Sequence, residues 1–386
     1  MTTVIWIDWY SYHISRFRAL VSHETLRGEV TGIELVGGCG VHKGMQFRDQ
    51  NRDGLPIVSL FPARDWNQVR QTELARALWT KLNELRPSIV LVPGIYTLPG
   101  LAAAVWAKIH GRCSVLMSET TRQDYPRTWW KEIPKRLLLA LLFDYGFAGG
   151  KPHARYLRQL GFANDRIAER YDVVDNEFFR RAAASARRNL NLPEVLELPA
   201  KYFLFVGRLS PEKNVLGLLK AFSGYCKRGG TWSLVVVGDG PERASLEAAV
   251  VALRLQARVH FAGFKATEQV VPYYAFASCF VLPSVREPWG LVVNEAMACG
   301  LPVLVSSHCG CAEDLVHQGI NGYSFDPVSE SLEDCLLSIG ALDNSALHAM
   351  GDASAQIVSD FSPEHWAKEV VGIRGAFLQA PSHQKS

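Results

Sequence analysis

The chain has 386 residues, of which 48% are hydrophobic and 20% are charged, and its formal net charge is +3. These proportions are those of an ordinary soluble globular protein, and the length exceeds one core of usual size, so two domains are expected. No apolar run reaches the roughly 18 residues of a membrane span, so no membrane-spanning helix is predicted.

The two halves of the chain differ in charge. Residues 1–180 contain 24 Lys and Arg against 18 Asp and Glu, a net +6, whereas the remainder contains 17 against 20, a net −3. A basic first half favours an anionic acceptor or an anionic membrane surface as a partner. The cations do not form the clustered stripe with aromatic repeats of a nucleic-acid binder, so no nucleic-acid partner is expected.

The eight cysteines are scattered without the spacing of a disulfide framework. The start, MTTVIWIDWY, has no basic segment and carries Asp8 inside its apolar run, so no signal peptide is predicted. A reduced, cytoplasmic chain is therefore expected.

The first half alternates strand and helix patterns, which predicts a doubly wound α/β domain over residues 1–180. A helix is predicted over 71–86, QTELARALWTKLNELR. The predicted strands are 3–9, 32–38, 56–62, 88–94, 113–119 and 145–150. Loops 92–100 and 118–127 follow strand ends, where binding residues concentrate.

Segment 127–136, RTWWKEIPKR, carries two tryptophans flanked by cations and precedes the apolar run LLLALLF at 137–143. Two interpretations stay open. Tryptophans among cations are typical of a segment that lies on anionic lipid, which would make the protein peripheral at the inner face of the membrane. The alternative is a helix that packs its Trp and Leu residues into the core, and run 137–143 is expected to be mostly buried in either case.

The polar, proline-marked segment 181–200 is predicted to be an interdomain linker, and a second α/β series follows at 201–360. Run 201–207, KYFLFVG, is a buried-strand pattern that ends in Gly207. The loop after it places Arg208 and Lys213 at the carboxyl edge of a sheet, where open α/β sheets bind ligands. Arg can grip phosphate oxygens with two hydrogen bonds and Lys acts as a mobile charge, so the pair suits a diphosphate.

The sequence GDGPER at 238–243 supplies Gly238 and Gly240 after a strand, as a dinucleotide-binding fold does. Arg243, however, stands where the third glycine of G-x-G-x-x-G is required. A dehydrogenase is therefore disfavoured.

The most informative run is EPWGLVVNEAMACGLPV at 287–303, which places Glu287 and Glu295 eight positions apart at a strand-to-helix junction. The apolar run 279–285 before it predicts a buried parallel strand, so Glu287 lies in a loop and Glu295 in the following helix. The start of that helix suits an anionic ligand such as a diphosphate. The two glutamates suit hydroxyls instead, as hydrogen-bond acceptors for the sugars of a nucleotide-sugar.

No metal site is predicted. Cys309 and Cys311 follow His308 in a loop after the predicted strand 302–307. No second pair of metal ligands lies at a convincing distance from them. No Asp-x-Asp sequence occurs anywhere in the chain, so the usual carboxylate clamp for a divalent cation on a diphosphate is missing.

Near the end of the chain, segment 361–379 predicts a helix with Ser362 as its N-cap and Pro363 at its first position. The tail 380–386 is expected to be disordered.

Four segments of the second half occur together in an order that resembles the retaining glycosyltransferases of family 4, which have the GT-B fold and a Glu-x7-Glu motif. The segments are 205–214 (FVGRLSPEKN), 235–250, 259–290 and 287–303. The resemblance implies two Rossmann-like doubly wound domains that face each other across a cleft, with the acceptor bound by 1–180 and the donor by 201–360. It also implies that helix 361–379 crosses back to the first domain.

The resemblance implies roles for individual residues. Arg208 and Lys213 hold the donor diphosphate, Glu287 orients the hydroxyls of the donor sugar, and Glu295 binds the ribose. The other donor-binding residues that it implies are Gly207, Gly238, Phe264, Pro288, Trp289, Gly290 and Leu291.

In the first half the resemblance is thinner. Relatives commonly have a Gly-rich turn after the first strand and a His after the strand that corresponds to 113–119. Here segment 8–18 contains no glycine. Ser118, Glu119 and Thr120 stand where relatives have the His, so no catalytic His can be carried over. The acceptor-side candidates are His13, Arg16, Glu119 and Arg122.

The implied function is a retaining, metal-independent hexosyltransferase that needs no cofactor. It moves a sugar from a nucleoside-diphosphate-sugar to a hydroxyl of a saccharide or glycolipid acceptor, in polysaccharide or glycolipid biosynthesis. Two alternatives stay open: a sugar-nucleotide 2-epimerase with the same fold, or a catalytically inactive nucleotide-sugar binder.

Overall fold

The computed structural model of the chain describes residues 1–38, 52–124, 128–328 and 331–380. Residues 381–386 of the predicted tail 380–386 and the part of loop 118–127 after residue 124 lie outside the described residues. The chain forms two compact units, one made of Met1–Val174 with the chain from Pro363 onward, the other of Asp175–Ser362.

The first unit is built on a parallel sheet between helices. Its strands are β1 (Thr2–Trp6), β2 (Val30–Val36), β3 (Ile57–Phe61), β4 (Ile89–Val92), β5 (Cys113–Ser118), β6 (Tyr145–Ala148) and β7 (Ile167–Ala168). Its first helices are α1 (Ser11–Ser22), α2 (Gln71–Leu85), α3 (Leu98–Ile109), α4 (Trp129–Leu142) and α5 (Lys151–Gln159). Leu74, Leu78 and Leu82 recur every four residues in α2 and are buried, so this helix presents one apolar face to the core.

The second unit repeats this plan. It begins with α6 (Asn176–Arg188) and α7 (Leu192–Val195). The chain then runs β8 (Tyr202–Val206), α8 (Val215–Lys227), β9 (Ser233–Val237), α9 (Arg243–Ala252), β10 (Val259–Gly263), α10 (Thr267–Phe276), β11 (Cys279–Leu282), α11 (Leu291–Ala298), β12 (Val303–Ser306), α12 (Ala312–Leu315), β13 (Gly322–Phe325), α13 (Ser331–Gly340) and α14 (Asn344–Val358).

Among the described residues, the strand order is β3-β2-β1-β4-β5-β6-β7 in the first sheet and β10-β9-β8-β11-β12-β13 in the second, and every pairing is parallel. In both sheets the order reverses beside the first strand of the unit, which is where open α/β sheets bind ligands at their carboxyl edge. The predicted doubly wound α/β architecture is confirmed.

The last helix, α15 (Pro363–Gln379), belongs to the first unit and packs along α1. Its Trp366 is buried within that unit, 5.6 Å from Phe147 and 6.1 Å from Trp6 between ring centroids. The ion pair between Arg374 and Glu29 lies at the other end of the same contact.

The boundary between the units differs from the predicted linker at 181–200. Eight residues of that segment continue α6, and Arg187 donates hydrogen bonds to the carbonyl oxygens of Ala275 (2.8 Å) and Cys299 (2.7 Å). These hydrogen bonds and the buried face of α6 make this helix part of the second unit. The polar residues that indicated a linker form the solvated face of this helix.

The expectation that run 137–143 is mostly buried is wrong for α4. Leu139, Leu142 and Phe143 are buried, but Leu137 and Leu141 have exposed fractions of 67% and 62%. Trp130 is also exposed, which contradicts the interpretation that this tryptophan packs into the core. Among the described residues, no helix is long and apolar enough to span a bilayer.

Candidate functional site

Three loops of the second unit leave neighbouring strands at the same edge of the sheet. They are 207–214 after β8, 283–290 after β11 and 307–311 after β12. The first contains a short 3₁₀ turn, Pro211–Lys213, and the second leads directly into α11. The carboxyl ends of parallel strands meet at one edge, so the fold brings these loops together.

Backbone hydrogen bonds connect the three loops. The N–H of Val285 donates to the carbonyl oxygen of Glu212 (2.9 Å), and the N–H of Gly310 donates to that of Glu287 (2.9 Å). The hydroxyl of Ser210 donates to the Glu212 carboxylate (2.6 Å) and lowers the pKa of that carboxyl. The loops therefore act as one rigid platform for their side chains.

Lys213 and Glu287 meet on this platform although 74 positions separate them in the sequence. Their side chains form an ion pair and are largely buried, with exposed fractions of 18% and 13%. The hydroxyl of Ser284, which is fully buried, donates a further hydrogen bond to the same carboxylate oxygen of Glu287 (3.3 Å). The sequence motif identifies the two charged residues but gives no signal for Ser284.

Glycines bring the backbone of β8 and β9 into close contact below Arg208. Gly238 has φ +142°, and a Cβ atom built on it would lie 1.8 Å from the carbonyl oxygen of Gly207. Its N–H donates to the carbonyl oxygen of Gly263 at the end of β10 (2.9 Å). Arg208, which directly follows Gly207, is exposed, so its guanidinium can meet a ligand from solvent.

The start of α11 is built by Trp289, Gly290 and Leu291. Gly290 caps the helix with φ +105°, a left-handed conformation that favours glycine. Trp289 is buried, and its indole N–H donates to the side-chain oxygen of Asn294 (2.9 Å). Helix α11 begins directly after loop 283–290, and the backbone N–H groups at the start of a helix suit an anion.

Glu295 lies in the second turn of α11, as predicted. The hydroxyl of Tyr274, which is fully buried in α10, donates to its carboxylate (2.8 Å). Burial raises the pKa of Glu295 to about 7, and this hydrogen bond opposes the rise. The carboxyl can therefore change its charge near neutral pH.

Two further donor-side residues that the sequence predicts are exposed. Pro288 is exposed, and Phe264, directly after β10, has an exposed fraction of 50%. Cys309 and Cys311 are buried, and burial raises the pKa of both thiols well above the ordinary value. Within the described residues, no three His, Cys, Asp or Glu side chains form a group that could hold a metal ion.

The acceptor-side candidates of the first unit separate into buried and exposed residues. His13 stacks on Trp6 with ring centroids 4.5 Å apart, and burial lowers its pKa well below the ordinary value. Arg16 is fully buried and donates to the carbonyl oxygen of Val173 (3.1 Å). Its guanidinium lies 3.5 Å from the Asp172 carboxylate, so Arg16 fixes the segment that leaves this unit.

Glu119 and Arg122 are exposed after β5. Burial, followed by the nearby Glu119 carboxyl, raises the pKa of Asp172 well above the ordinary value. The exposed Glu119 therefore lies beside the buried Asp172, a contact that the sequence pattern does not indicate.

A cavity of about 250 Å³ opens beside Glu119 at the carboxyl edge of the first sheet. Its floor is apolar and includes Leu116, Leu139 and Leu157. Its polar lining includes Glu119, Tyr96, Lys135 and Tyr156. An apolar cavity with a few convergent polar groups is typical of a small-molecule site.

Residues 191–354 match the family model described as glycosyl transferases group 1. A GDP-mannose-dependent alpha-(1-6)-phosphatidylinositol dimannoside mannosyltransferase of Mycobacterium tuberculosis is 30% identical over 244 residues, which are 60% of this chain and 60% of that protein. A D-inositol 3-phosphate glycosyltransferase of Acidothermus cellulolyticus is 31% identical over 245 residues, 60% of this chain and 52% of that protein. The chain spans about half the length of the curated relatives it matches.

Solved structures match nearly the whole chain. The complex of Anabaena Alr3699/HepE with UDP has a TM-score of 0.71 at 18% identity and covers 97% of this chain and 100% of that one. Sucrose-phosphate synthase (tll1590) of Thermosynechococcus elongatus has a TM-score of 0.73 at 18% identity, with 98% and 100% covered. This chain has the GT-B fold. At such identity the likeness shows the fold alone, while the family match to residues 191–354 supports a glycosyltransferase on this GT-B scaffold.

Proposed function

We propose that this GT-B chain is a retaining glycosyltransferase of family 4, with Glu287 and Glu295 as its Glu-x7-Glu pair. It moves a sugar from a nucleoside-diphosphate-sugar to a hydroxyl of a saccharide or glycolipid acceptor. The observation that carries the proposal is the ion pair between Lys213 and Glu287, from two different loops, beside the exposed Arg208 and the start of α11. Lys213 suits the phosphates of such a donor and Glu287 suits the hydroxyls of its sugar. The two side chains are in direct contact, as the two parts of the donor are.

Arg208, Lys213 and the first N–H groups of α11 would bind the diphosphate. Cleavage of the donor bond leaves negative charge on the departing diphosphate and a positively charged, oxocarbenium-like sugar. Fixed positive groups at that phosphate act where the charge develops, which is the most effective place for electrostatic stabilisation. No nucleophile of the protein is required, because the leaving phosphate can take the acceptor proton on the same face.

Metal independence is part of the proposal. The usual carboxylate clamp for a divalent cation is an Asp-x-Asp sequence, and none occurs in the chain. The cationic side chains and the helix N-terminus would neutralise the diphosphate instead. Glu295 would accept hydrogen bonds from the ribose, with Tyr274 holding its carboxylate in place.

The base of the nucleotide is left open by the relatives, which differ: one relative is named for GDP-mannose and one structural neighbour contains UDP. The test is therefore binding of UDP, GDP, ADP and dTDP, measured by calorimetry on the full chain without added metal. We expect one of the four to bind, and Arg208→Ala to weaken that binding by roughly tenfold to a hundredfold, the range for loss of a charge-assisted phosphate contact. Failure of all four to bind would contradict the proposal.

A further inference from the structure

Helix α4 has two apolar faces, one packed into the core of the first unit and one exposed among the described residues. Leu139 and Leu142 are buried in the core of the first unit. Trp130, Ile133, Leu137, Leu138 and Leu141 are exposed, with exposed fractions of 57%, 51%, 67%, 37% and 62%. We call these five residues the α4 stripe.

The α4 stripe lies along one side of the helix. From Trp130 through Leu137 to Leu141 the members lie three or four positions apart, except that Leu138 directly follows Leu137 and lies three before Leu141. This spacing places side chains on one side of an α-helix. Large apolar side chains at the surface are ordinary when they are scattered. A continuous row of five on one helix, opposite a buried row, indicates a surface that something else covers.

We propose that the α4 stripe docks the protein on an anionic lipid surface, and that the saccharide of a lipid-anchored acceptor enters the cavity that Lys135 lines on the same helix. The acceptor half of this inference rests on the proposed glycosyl transfer. The docking half stands on α4 alone.

Charge decides between a membrane and a second copy of the chain as the occupant. The unit that contains α4 has 26 Lys and Arg against 18 Asp and Glu, a net +8, whereas the other unit has 15 against 20, a net −5. Pairing two copies through α4 would bring two strongly basic units together, while an anionic bilayer attracts them. An amphipathic helix with Trp and Leu on its apolar face and cations beside it is typical of an interfacial anchor.

The cavity lies against the same helix and has the chemistry of a saccharide site. The Lys135 ammonium donates to the hydroxyls of Tyr156 (2.9 Å) and Tyr96 (3.3 Å), and the Tyr156 hydroxyl donates to Glu132 (2.7 Å). Glu119 lines the cavity together with Lys135, and Glu132 accepts the hydrogen bond from Tyr156. Because acidic groups accompany the cation, the cavity favours a neutral, hydroxyl-rich group over an anion. The apolar floor, with Leu139 from α4, suits the carbon face of a sugar ring.

Docking is tested by sedimenting the full chain with vesicles of phosphatidylcholine containing phosphatidylglycerol, and with vesicles of phosphatidylcholine alone. We expect binding to the anionic vesicles that salt reverses. Leu137→Ser with Leu141→Ser should weaken binding by roughly tenfold or more per leucine, since each side chain leaves the lipid for water. The matched control is Leu190→Ser with Val195→Ser, two residues of the other unit with exposed fractions of 85% and 73%, which should bind as the wild type does.

The exposed positions should leave the melting temperature unchanged, and the single variant Leu137→Ser serves if the double variant unfolds. Two outcomes would overturn the docking half: vesicle binding that is equal in wild type and variant, or a wild-type dimer in sedimentation equilibrium that the variant dissociates. The second outcome would assign the α4 stripe to a second copy of the chain.

The acceptor half is tested with sugar-labelled donor in the presence of vesicles made from a bacterial membrane-lipid extract, or with the water-soluble fraction of the same cells. We expect label in the organic phase from the vesicles, and at least tenfold less with Lys135→Gln at unchanged vesicle binding. Label that enters only water-soluble products would overturn this half. Release of nucleoside diphosphate is measured separately, so a failure of the proposed transferase activity is recognised independently of the acceptor.

Discussion

At the residue scale, the central feature is the ion pair between Lys213 and Glu287. Each side chain holds the other in place, and the buried hydroxyl of Ser284 fixes the carboxylate further. A donor would bring its phosphate to Lys213 and its sugar hydroxyls to Glu287, two groups that the fold already places side by side. Preorganised groups of this kind need no reorganisation during the reaction.

Replacing Arg208 or Lys213 with Ala should lower kcat by roughly 10²–10³, the range for removal of one preorganised charge stabiliser. Arg208 is exposed, so its loss should leave the fold intact. Steady-state kinetics on the purified variants measures this, with Lys220→Ala, an exposed cation of α8, as the matched control. Near-normal turnover in both site variants would refute the diphosphate clamp.

The two glutamates should behave differently when each is replaced with Ala. Glu295 is expected to grip the ribose, an interaction shared by ground and transition states, so Glu295→Ala should mainly raise the KM for the donor. Glu287 is expected to orient the transferring sugar, so Glu287→Ala should mainly lower kcat and weaken discrimination among donor sugars. Measuring kcat, KM and melting temperature separates them. Equal losses that follow only the melting temperature would leave both residues as scaffold.

The pKa of Glu295 predicts a pH-dependent stability. Burial raises it from 4.5 in the ordinary carboxyl to about 7 in the fold. The fold therefore favours the protonated form, and the stability that this provides is complete below about pH 4.5 and is lost as the pH rises through about 7. Glu295→Gln removes the buried charge. The melting temperature of the variant minus that of the wild type should therefore increase by a few degrees from pH 5 to pH 8.5. The corresponding change in the free energy of unfolding is at most about 3 kcal/mol. An equal difference at both pH values would show that the carboxyl is not perturbed.

At the element scale, the site depends on how closely strands β8 and β9 approach. The Cβ of an alanine at Gly238 would lie 1.8 Å from the carbonyl oxygen of Gly207, which carries the loop of Arg208 and Lys213. The sequence reveals the glycines and the loop, but not that Gly238 packs against Gly207, because the sequence does not show which strands pair or in which register.

Gly238→Ala should therefore displace loop 207–214 and lose nucleoside-diphosphate binding, with a destabilisation of about 2 kcal/mol or more from the clash. The matched control is Gly229→Ala, because Gly229 also has a positive φ (+89°) but a Cβ there would meet no atom within 4 Å. Calorimetry and thermal melting of both variants check this. The same loss in the control would assign the effect to backbone strain and not to contact with Gly207.

Helix α4 shows where composition misleads. Run 137–143 is apolar enough to predict burial, yet the helical period divides it between a buried row with Leu139 and an exposed row with Leu137 and Leu141. Hydrophobicity summed over a segment reports how much apolar surface is present. Only the fold decides which part the core covers.

At the scale of the whole molecule, the alternation of strands and helices was sufficient to predict the doubly wound architecture, since parallel strands need crossover helices. The motifs also located Lys213, Glu287 and Glu295 on the elements where the structure has them. The partners Ser284 and Tyr274 could not be predicted, because a single buried hydroxyl leaves no pattern in the sequence. Segment 181–200 was misjudged as a linker since an exposed helix face and a linker share the same polar composition.

The measurement that tests the account most directly follows the sugar itself. The full chain is incubated in EDTA with anomerically defined UDP-, GDP-, ADP- and dTDP-sugars and a lipid or saccharide acceptor fraction, and the products are analysed by NMR. We expect that one donor releases its nucleoside diphosphate and that the sugar appears on a hydroxyl with the anomeric configuration it had in the donor. Lys213→Ala should lower the rate of both signals by roughly 10²–10³. A sugar that stays on its nucleotide, inverts on transfer, or moves only after Mg²⁺ or Mn²⁺ is restored would contradict the account.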